Sequence, residues 1–423
     1  MSFKERFSKG SRKPYARAHR VLRAYSQSGS ADDLARLHAE TAAMTILLQS
    51  AKDAYSVEPI VLTNERTRPA FELLRDSSIT IAGVGMKRDD IASVEQQRHG
   101  VSPQYPFLME ERTGCCASVV NPNAKSSVAY SFEKWSADRL SAVEDAVKLG
   151  SDIICLGEFD YPPQHPVTDE KKFDQDILDL INGQNRPILC VAGSRHEWIR
   201  DGDNWRCINR ARVFANKRLM VNDLQEPHDA FFSIDKAVSA KKAGEVLSSN
   251  SMPKIKYFET PLGKIAVLIC VDVFSPSVVF SLLNSRSTTP NKPFDYVLVP
   301  AYNTSPKLYY SCQTLSLLCN TTVMLVDACK LSSGIGETRK EKQVAIFVAG
   351  RDLSDMSQGF QRVRSMDHGS AAPKLDDEPA TENETVVAWR LSIDAVLEMK
   401  SDRSAIPFLS GLADNFFPRD PLD

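Results

Sequence analysis

From about residue 125 onward, short apolar runs alternate with stretches of helical spacing, and that alternation is the strongest constraint on what this chain can fold into. Strands are expected near 127–132, 152–157, 187–193, 264–269, 296–300 and 322–328, with helices at 137–150, 169–183, 276–283 and 308–320. Strands separated by helices build a layered α/β fold, because each helix returns the chain to the edge where the next parallel strand is added. A hairpin is expected over 208–224, turning near Asn216, so the parallel units should be joined by antiparallel ones in a mixed sheet.

At 423 residues the chain exceeds one small domain and suits one large α/β domain with an appendage. Its hydrophobic content of 42% and charged content of 25% are ordinary for a globular protein, and no stretch approaches the ~18 apolar residues of a membrane-spanning helix. No membrane association is expected. The nine cysteines are odd in number, lie mostly in apolar strand-like runs and follow no secretory signal, which points to a reducing, cytoplasmic setting with free thiols. Neither Cys-x-x-Cys nor His-x-x-x-His spacing occurs, so no metal site is expected.

Net charge is −2, but residues 1–25 carry +7 and the remainder −9. That basic segment could meet an acidic partner or nucleic acid, or simply be a solvated helix or tail; a mitochondrial presequence is a third reading, which Glu5 weakens. Residues 31–48 repeat apolar positions at Leu34, Leu37, Met44, Leu47 and Leu48, which is helical spacing, with Ser30 or Asp32 as cap. Residues 57–124 hold short apolar runs (Ile60 to Leu62, Ile79 to Ala82) with no assignable motif, and Cys115 and Cys116 are adjacent, a spacing that seldom forms a bond. The expected organisation is therefore a basic, helical N-terminal extension over 1–124, a main domain over 125–400 and a tail over 401–423.

Two of the strands end on reactive groups. One reads Ser151-Asp-Ile-Ile-Cys-Leu-Gly-Glu158-Phe-Asp-Tyr-Pro-Pro163; the other reads Gly263-Lys-Ile-Ala-Val-Leu-Ile-Cys270-Val-Asp272. A cysteine attacks only as its thiolate and needs a base beside it; a carboxylate in an apolar pocket, its pKa raised, can take that proton and later return it. Taken alone, Cys270 would be one more small residue in a buried strand, and Glu158 a solvated carboxylate at a strand end. Asp272 reads as structural, tying down the turn after Cys270 through backbone hydrogen bonds.

Together these stretches resemble the catalytic glutamate and cysteine motifs of the nitrilase, or carbon–nitrogen hydrolase, superfamily, over roughly 125–400. The resemblance implies a nitrilase-like four-layer αββα sandwich, closed by the strand Thr385 to Asp394. It also implies a Glu-Lys-Cys triad, with Glu158 as base, Cys270 as nucleophile and the amide of Val271 as an oxyanion donor. Family members usually assemble as dimers, so a homo-oligomer is expected, and no cofactor is implied.

The lysine admits several registers. In the family it lies on the second strand of a hairpin that follows an Asn like Asn209. If the hairpin turns at Asn216, the residue at the usual distance is Gln225 and no lysine is present; if it is shorter, Lys217 takes the role and Glu226 is the additional glutamate many members carry. A lysine from elsewhere, Lys236 for example, is a third option. Turn chemistry at Asn216-Lys217 favours the first register and would send Lys217 to solvent.

His165, in Tyr161-Pro-Pro-Gln-His165, is either a substrate contact or a surface histidine, and Arg195-His196-Glu197 either shapes a pocket or forms a solvated loop. Tyr302 and Asn303 end a strand on the side where α/β sheets gather their sites, which makes them candidates for substrate contact. No phosphate-loop, dinucleotide or serine-elbow motif occurs. The expected function is a hydrolase that cleaves a linear amide or carbamoyl C–N bond in a small molecule through a cysteine thioester. The alternative is a catalytically degenerate module that binds a small molecule, a protein or nucleic acid.

Overall fold

The computed structural model describes residues 56–62, 78–85, 132–161, 167–201, 204–219, 231–240, 247, 254–284, 295–302, 306–319, 321–331, 342–348, 351–353, 360–363 and 386–392. The expected helix at 31–48, the basic segment 1–25, Cys115-Cys116 and the C-terminal tail lie outside the described residues, as do His165, Gln225, Glu226 and Asn303.

Strands β1 (Ser56–Val61), β2 (Ser78–Val84), β3 (Ile153–Leu156), β4 (Leu189–Asp201), β5 (Asn204–Ala215), β6 (Phe231–Asp235) and β7 (Lys254–Thr260) are followed by β8 (Gly263–Val267), β9 (Tyr296–Ala301), β10 (Thr322–Leu331), β11 (Lys342–Val348), β12 (Arg351–Asp352), β13 (Phe360–Val363) and β14 (Val386–Ser392). Among the described residues they form two seven-stranded sheets, in the orders β1-β7-β8-β9-β10-β11-β12 and β13-β14-β2-β3-β4-β5-β6. Both are mixed, with parallel centres: β8, β9 and β10 run parallel in the first sheet, and β2, β3 and β4 in the second. The helices are α1 (Phe132–Lys148), α2 (Val167–Asn182), α3 (Pro276–Asn284) and α4 (Pro306–Cys319).

Alternation along the strands sets the layers. On β3, Ile153 and Cys155 face the other sheet, while Ile154 and Leu156 meet Ala142, Val143 and Ala146 of α1 and Ile177 and Ile181 of α2. Strands β8 to β11 of the first sheet are apolar on both faces, as expected of a sheet covered twice; α3 and α4 join their core through Val278, Val279, Leu308, Cys312 and Leu315. The result is a four-layer αββα sandwich, the architecture the resemblance implies. Where the sheets meet, Gly83 of β2 leaves room for its neighbours: a Cβ there would stand 2.3 Å from a methyl of Val344 and 3.0 Å from one of Val326.

Two differences from the sequence reading concern strands. Residues 56–61 and 78–84 precede the expected domain start at 125, yet β1 pairs parallel with β7 at one sheet edge and β2 sits between β14 and β3 in the other sheet. Their short apolar runs are β-strands whose partners lie far along the chain, a non-local pairing that periodicity cannot reveal. The hairpin expected over 208–224 is the second. Strand β5 pairs antiparallel with β4 and with β6, so its second partner is 231–235. The closing strand is found as expected: β14 pairs antiparallel with β2. No described helix is long and apolar enough to cross a membrane.

Candidate active site

Glu158 leaves the C-terminal end of β3 in a tight loop whose shape is fixed from three sides. Asp160 folds back to accept the Gly157 N–H at 2.8 Å, and Arg139 of α1 donates to the Asp160 carboxylate and to its carbonyl, both at 3.2 Å. Both side chains are buried. Burial pushes the Asp160 carboxyl above the ordinary range, and the Arg139 charge and the Gly157 N–H oppose that rise. Phe159 takes φ of 67°, a costly conformation for a residue with a Cβ. Behind the loop lies the bulge of β4 at Gly193, with φ of 88°; a Cβ there would come within 2.6 Å of the Gly157 carbonyl and 2.8 Å of the Tyr161 nitrogen. Glycine at 193 is thus what lets the glutamate loop sit down on β4.

Cys270 follows β8. The chain extends two residues beyond the strand, Leu268 N–H donating to Leu298 O at 2.9 Å, then enters a single 3-10 turn, Cys270–Phe274. Cys270 opens that turn at φ of 50°, the left-handed region, again on a side chain with a Cβ. Strained backbone at Cys270 and at Phe159, the residue next to Glu158, is the pattern seen where a site demands geometry that folding alone would not choose. Val271 is half-buried in the same turn, next to the cysteine.

The third group arrives from β6. Its register with β5 pairs Arg210 with Asp235, and the next residue, Lys236, donates its backbone N–H to Asn209 O at 2.8 Å. The Lys236 side chain is buried, and its Nζ donates to Glu158 Oε1 at 2.6 Å. The same oxygen accepts from Asn209 Nδ2 at 2.9 Å, while Oε2 accepts from the backbone N–H of Tyr302 at 3.0 Å. The Tyr302 carbonyl in turn lies 4.0 Å from Cys270 Sγ. Burial pushes the Cys270 thiol well above its usual range. The Glu158 charge adds to the rise, against the opposing charge of Lys236. Glu158, Lys236 and Cys270 therefore share one buried spot, assembled from the ends of β3, β6 and β8.

Lys217 is not part of it. It is exposed, and its backbone N–H donates to Asn182 Oδ1 at 2.8 Å. Asn216 is no hairpin tip; it pins the end of β5, accepting from Ile188 N–H at 3.0 Å and donating to Arg186 O at 2.7 Å and Ile181 O at 3.2 Å. Strand β6 begins only at Phe231, so a residue count from Asn209 that assumes a tight turn does not reach Lys236. The signal in the sequence is weak: Phe231-Phe-Ser-Ile-Asp235 is a short run followed by Lys236.

Around the site, the Phe159 ring packs tilted against His196 at 5.1 Å and edge-on to Tyr302 at 6.1 Å, ring centre to ring centre. His196 pairs with Asn209 across the strands and so shares its face, whereas Arg195 and Glu197 point the other way, bonded to each other at 3.0 Å and buried. This segment is strand rather than loop. Among the described residues no cluster of three or more His, Cys, Asp or Glu is placed to hold a metal ion.

No family model and no curated protein matches this chain. Solved structures do. An amidase from Nesterenkonia sp. aligns at a TM-score of 0.40 and 10% identity, covering 78% of this chain and 96% of its own. A cysteine-to-alanine mutant of the Nesterenkonia AN1 amidase, from the nitrilase superfamily, aligns at 0.40 and 12%, covering 81% and 98%. A glutamine-dependent NAD+ synthetase from Acinetobacter baumannii aligns at 0.40 and 13%, covering 75% of this chain and 46% of the synthetase. The site's own geometry must carry the functional reading.

That geometry makes a statement about pH. With burial first among its causes and Glu158 second, the raised Cys270 pKa keeps the resting thiol protonated, because a raised pKa favours the acid form over a wider range. Thiolate ultraviolet absorbance, taken as the difference between the native chain and Cys270→Ser, is expected to be nil at neutral pH and to emerge only above the ~8.5 of an ordinary thiol. A full thiolate signal at pH 7 would mean that Glu158 is not needed as a base.

Proposed function

We propose that the chain is a carbon–nitrogen hydrolase acting on a small linear amide or carbamoyl compound, with Cys270 as nucleophile, Glu158 as base and Lys236 as the cation of the triad. The observation behind this is the 2.6 Å contact of Lys236 Nζ with the Glu158 carboxylate, whose other oxygen accepts from the N–H of Tyr302, the residue whose carbonyl lies 4.0 Å from Cys270 Sγ, with Glu158, Lys236 and Cys270 all buried. As Sγ attacks the carbonyl carbon, Glu158 takes the thiol proton. The negative charge that develops on the carbonyl oxygen meets the Lys236 ammonium and the Val271 N–H. Glu158 then hands the proton to the departing amine, the C–N bond breaks and a thioester remains on Cys270. Glu158 next takes a proton from water, whose oxygen attacks the thioester; the acid leaves and the thiol is restored. Asn209 and the Tyr302 N–H hold the carboxylate in place throughout, and Phe159, His196 and Tyr302 offer the substrate an aromatic wall.

A module that binds without turnover is the reading that a missing lysine would have favoured, and Lys236 beside Glu158 supports the enzyme instead. The free, buried Cys155, Cys190 and Cys312 are in keeping with a reducing compartment, the cytoplasm. The test is release of ammonia from a panel of simple amides and carbamoyl compounds, compared between the native chain and Cys270→Ala. Release that depends on Cys270 supports the reading, and equal release from both removes it.

A further inference from the structure

The three groups of the site come from two different sheets. Glu158 and Lys236 follow β3 and β6 of the second sheet, where the strand ladders and the bond from Lys236 N–H to Asn209 O set their spacing. Cys270 follows β8 of the first sheet. The sheets meet through apolar side chains, whose attraction is non-directional and does not fix how the strand ends of one sheet stand against those of the other. Glu158 crosses that gap itself. Its N–H donates to Ala301 O at 3.3 Å and its carboxylate accepts from Tyr302 N–H at 3.0 Å, both at the end of β9 in the first sheet.

For the lysine the crossing is made by Asp272, whose side chain is buried in the Cys270 turn. Its Oδ1 accepts from the N–H groups of Ala237 and Val238 at 3.1 and 2.8 Å, and its Oδ2 accepts from Ile269 N–H at 3.1 Å and shares Ala237 N–H at 3.3 Å. One carboxylate thus holds the two residues directly after the lysine and the residue directly before the cysteine. Resting on the triad proposed above, we propose that Asp272 is a positioning residue: by clasping the 237–238 backbone to the Cys270 turn, it sets the Lys236 ammonium where negative charge develops on a carbonyl under attack by Sγ. The clasp acts on main chain and needs no contact with the ammonium. Lys236 is held from one side by Asn209 O and from the other through Asp272, so release of the second grip leaves the ammonium tied to its own sheet alone. Misplacement by about 1 Å, caused at a distance from the chemistry, can cost about 10²-fold in rate.

The experiment is a double-mutant cycle in the full-length chain, read as single-turnover acylation of Cys270 by p-nitrophenyl acetate. Sγ forms the thioester, the ester C–O bond breaks, the thiol proton passes to Glu158 and p-nitrophenolate leaves. An amide keeps the size of Asp272 but accepts at one end only, so Asp272→Asn must release one side of the clasp. Alone, it is expected to slow acylation by about 10²-fold. In the Lys236→Ala background there is no ammonium to place, and the same substitution is expected to cost less than about tenfold. A general loosening of the nucleophile's turn would cost the same factor in both backgrounds. A cost of about tenfold or more in the Lys236→Ala background therefore overturns the proposal, as does an Asp272→Asn rate within about tenfold of native. Should Asp272→Asn not fold, Asp272→Ser, too short to span both sides, completes the same cycle. If Cys270 is never acylated, or Lys236→Ala is as fast as native, the triad reading falls and takes this one with it. If Lys236→Ala is slow and the two costs multiply, only the positioning role falls.

Discussion

Replacing Lys236 with alanine is expected to slow acylation of Cys270 by about 10²–10³-fold or more, the usual loss when one donor to a developing oxyanion is removed. Lys217→Ala, by contrast, should leave the rate unchanged. Lys236 is buried with its ammonium 2.6 Å from Glu158, whereas Lys217 is exposed at the end of β5 and holds Asn182 only through its backbone. Truncation of Lys236 also leaves Glu158, among the described residues, with neutral donors, the Asn209 amide and the Tyr302 N–H. Single-turnover acylation by p-nitrophenyl acetate measures both variants on one scale. A slow Lys217→Ala with a fast Lys236→Ala would reverse the assignment.

The second large effect concerns stability. In Arg139→Met the methionine fills much of the arginine's space but leaves the buried Asp160 carboxylate without its charge partner. Breaking one side of a buried ion pair typically costs about 3–5 kcal/mol, a large part of the ~5–15 kcal/mol that holds a domain folded. The pH dependence has a definite sign. Asp160 already has a raised pKa from burial, and loss of Arg139 raises it further, so the folded variant binds its proton more tightly than the unfolded chain. Its stability is therefore preserved at low pH and falls as pH rises through the interval between the unfolded and folded pKa values. Urea unfolding at acid and at neutral pH reads this directly; a cost under about 1 kcal/mol at both would show that the pair contributes no more than an exposed one. The same substitution loosens the loop that presents Glu158, so base function should decline alongside stability.

How much of this was legible in the sequence depends on whether the signal was local. Glu158 and Cys270 could be read because each ends an apolar strand of its own, and a strand end in a parallel sheet is where such a group emerges. The same logic makes Tyr302 a candidate for substrate contact; in the structure its N–H holds Glu158 and its carbonyl faces the thiol. Asp272 was read as tying its own turn, which its bond from Ile269 N–H bears out, but its hold on Ala237 and Val238 joins segments far apart in sequence. Lys236 is hard to single out from sequence because a count from Asn209 assumes a tight turn, whereas β5 ends at Ala215 and β6 begins only at Phe231. Strands β1 and β2 were missed as parts of the sheets for a related reason. Both find their partners at long range. Gly193 is a further case: nothing in its neighbours announces that the glutamate loop will press against it within 2.6 Å of an added Cβ.

The most direct test of the central claim is intact-protein mass spectrometry after rapid acid quench of the native chain with p-nitrophenyl acetate, followed by peptide mapping. The account predicts one added acetyl group, on Cys270, that turns over in time and is missing in Cys270→Ala. An unmodified Cys270, or an acetyl group carried stably on another residue, would contradict it.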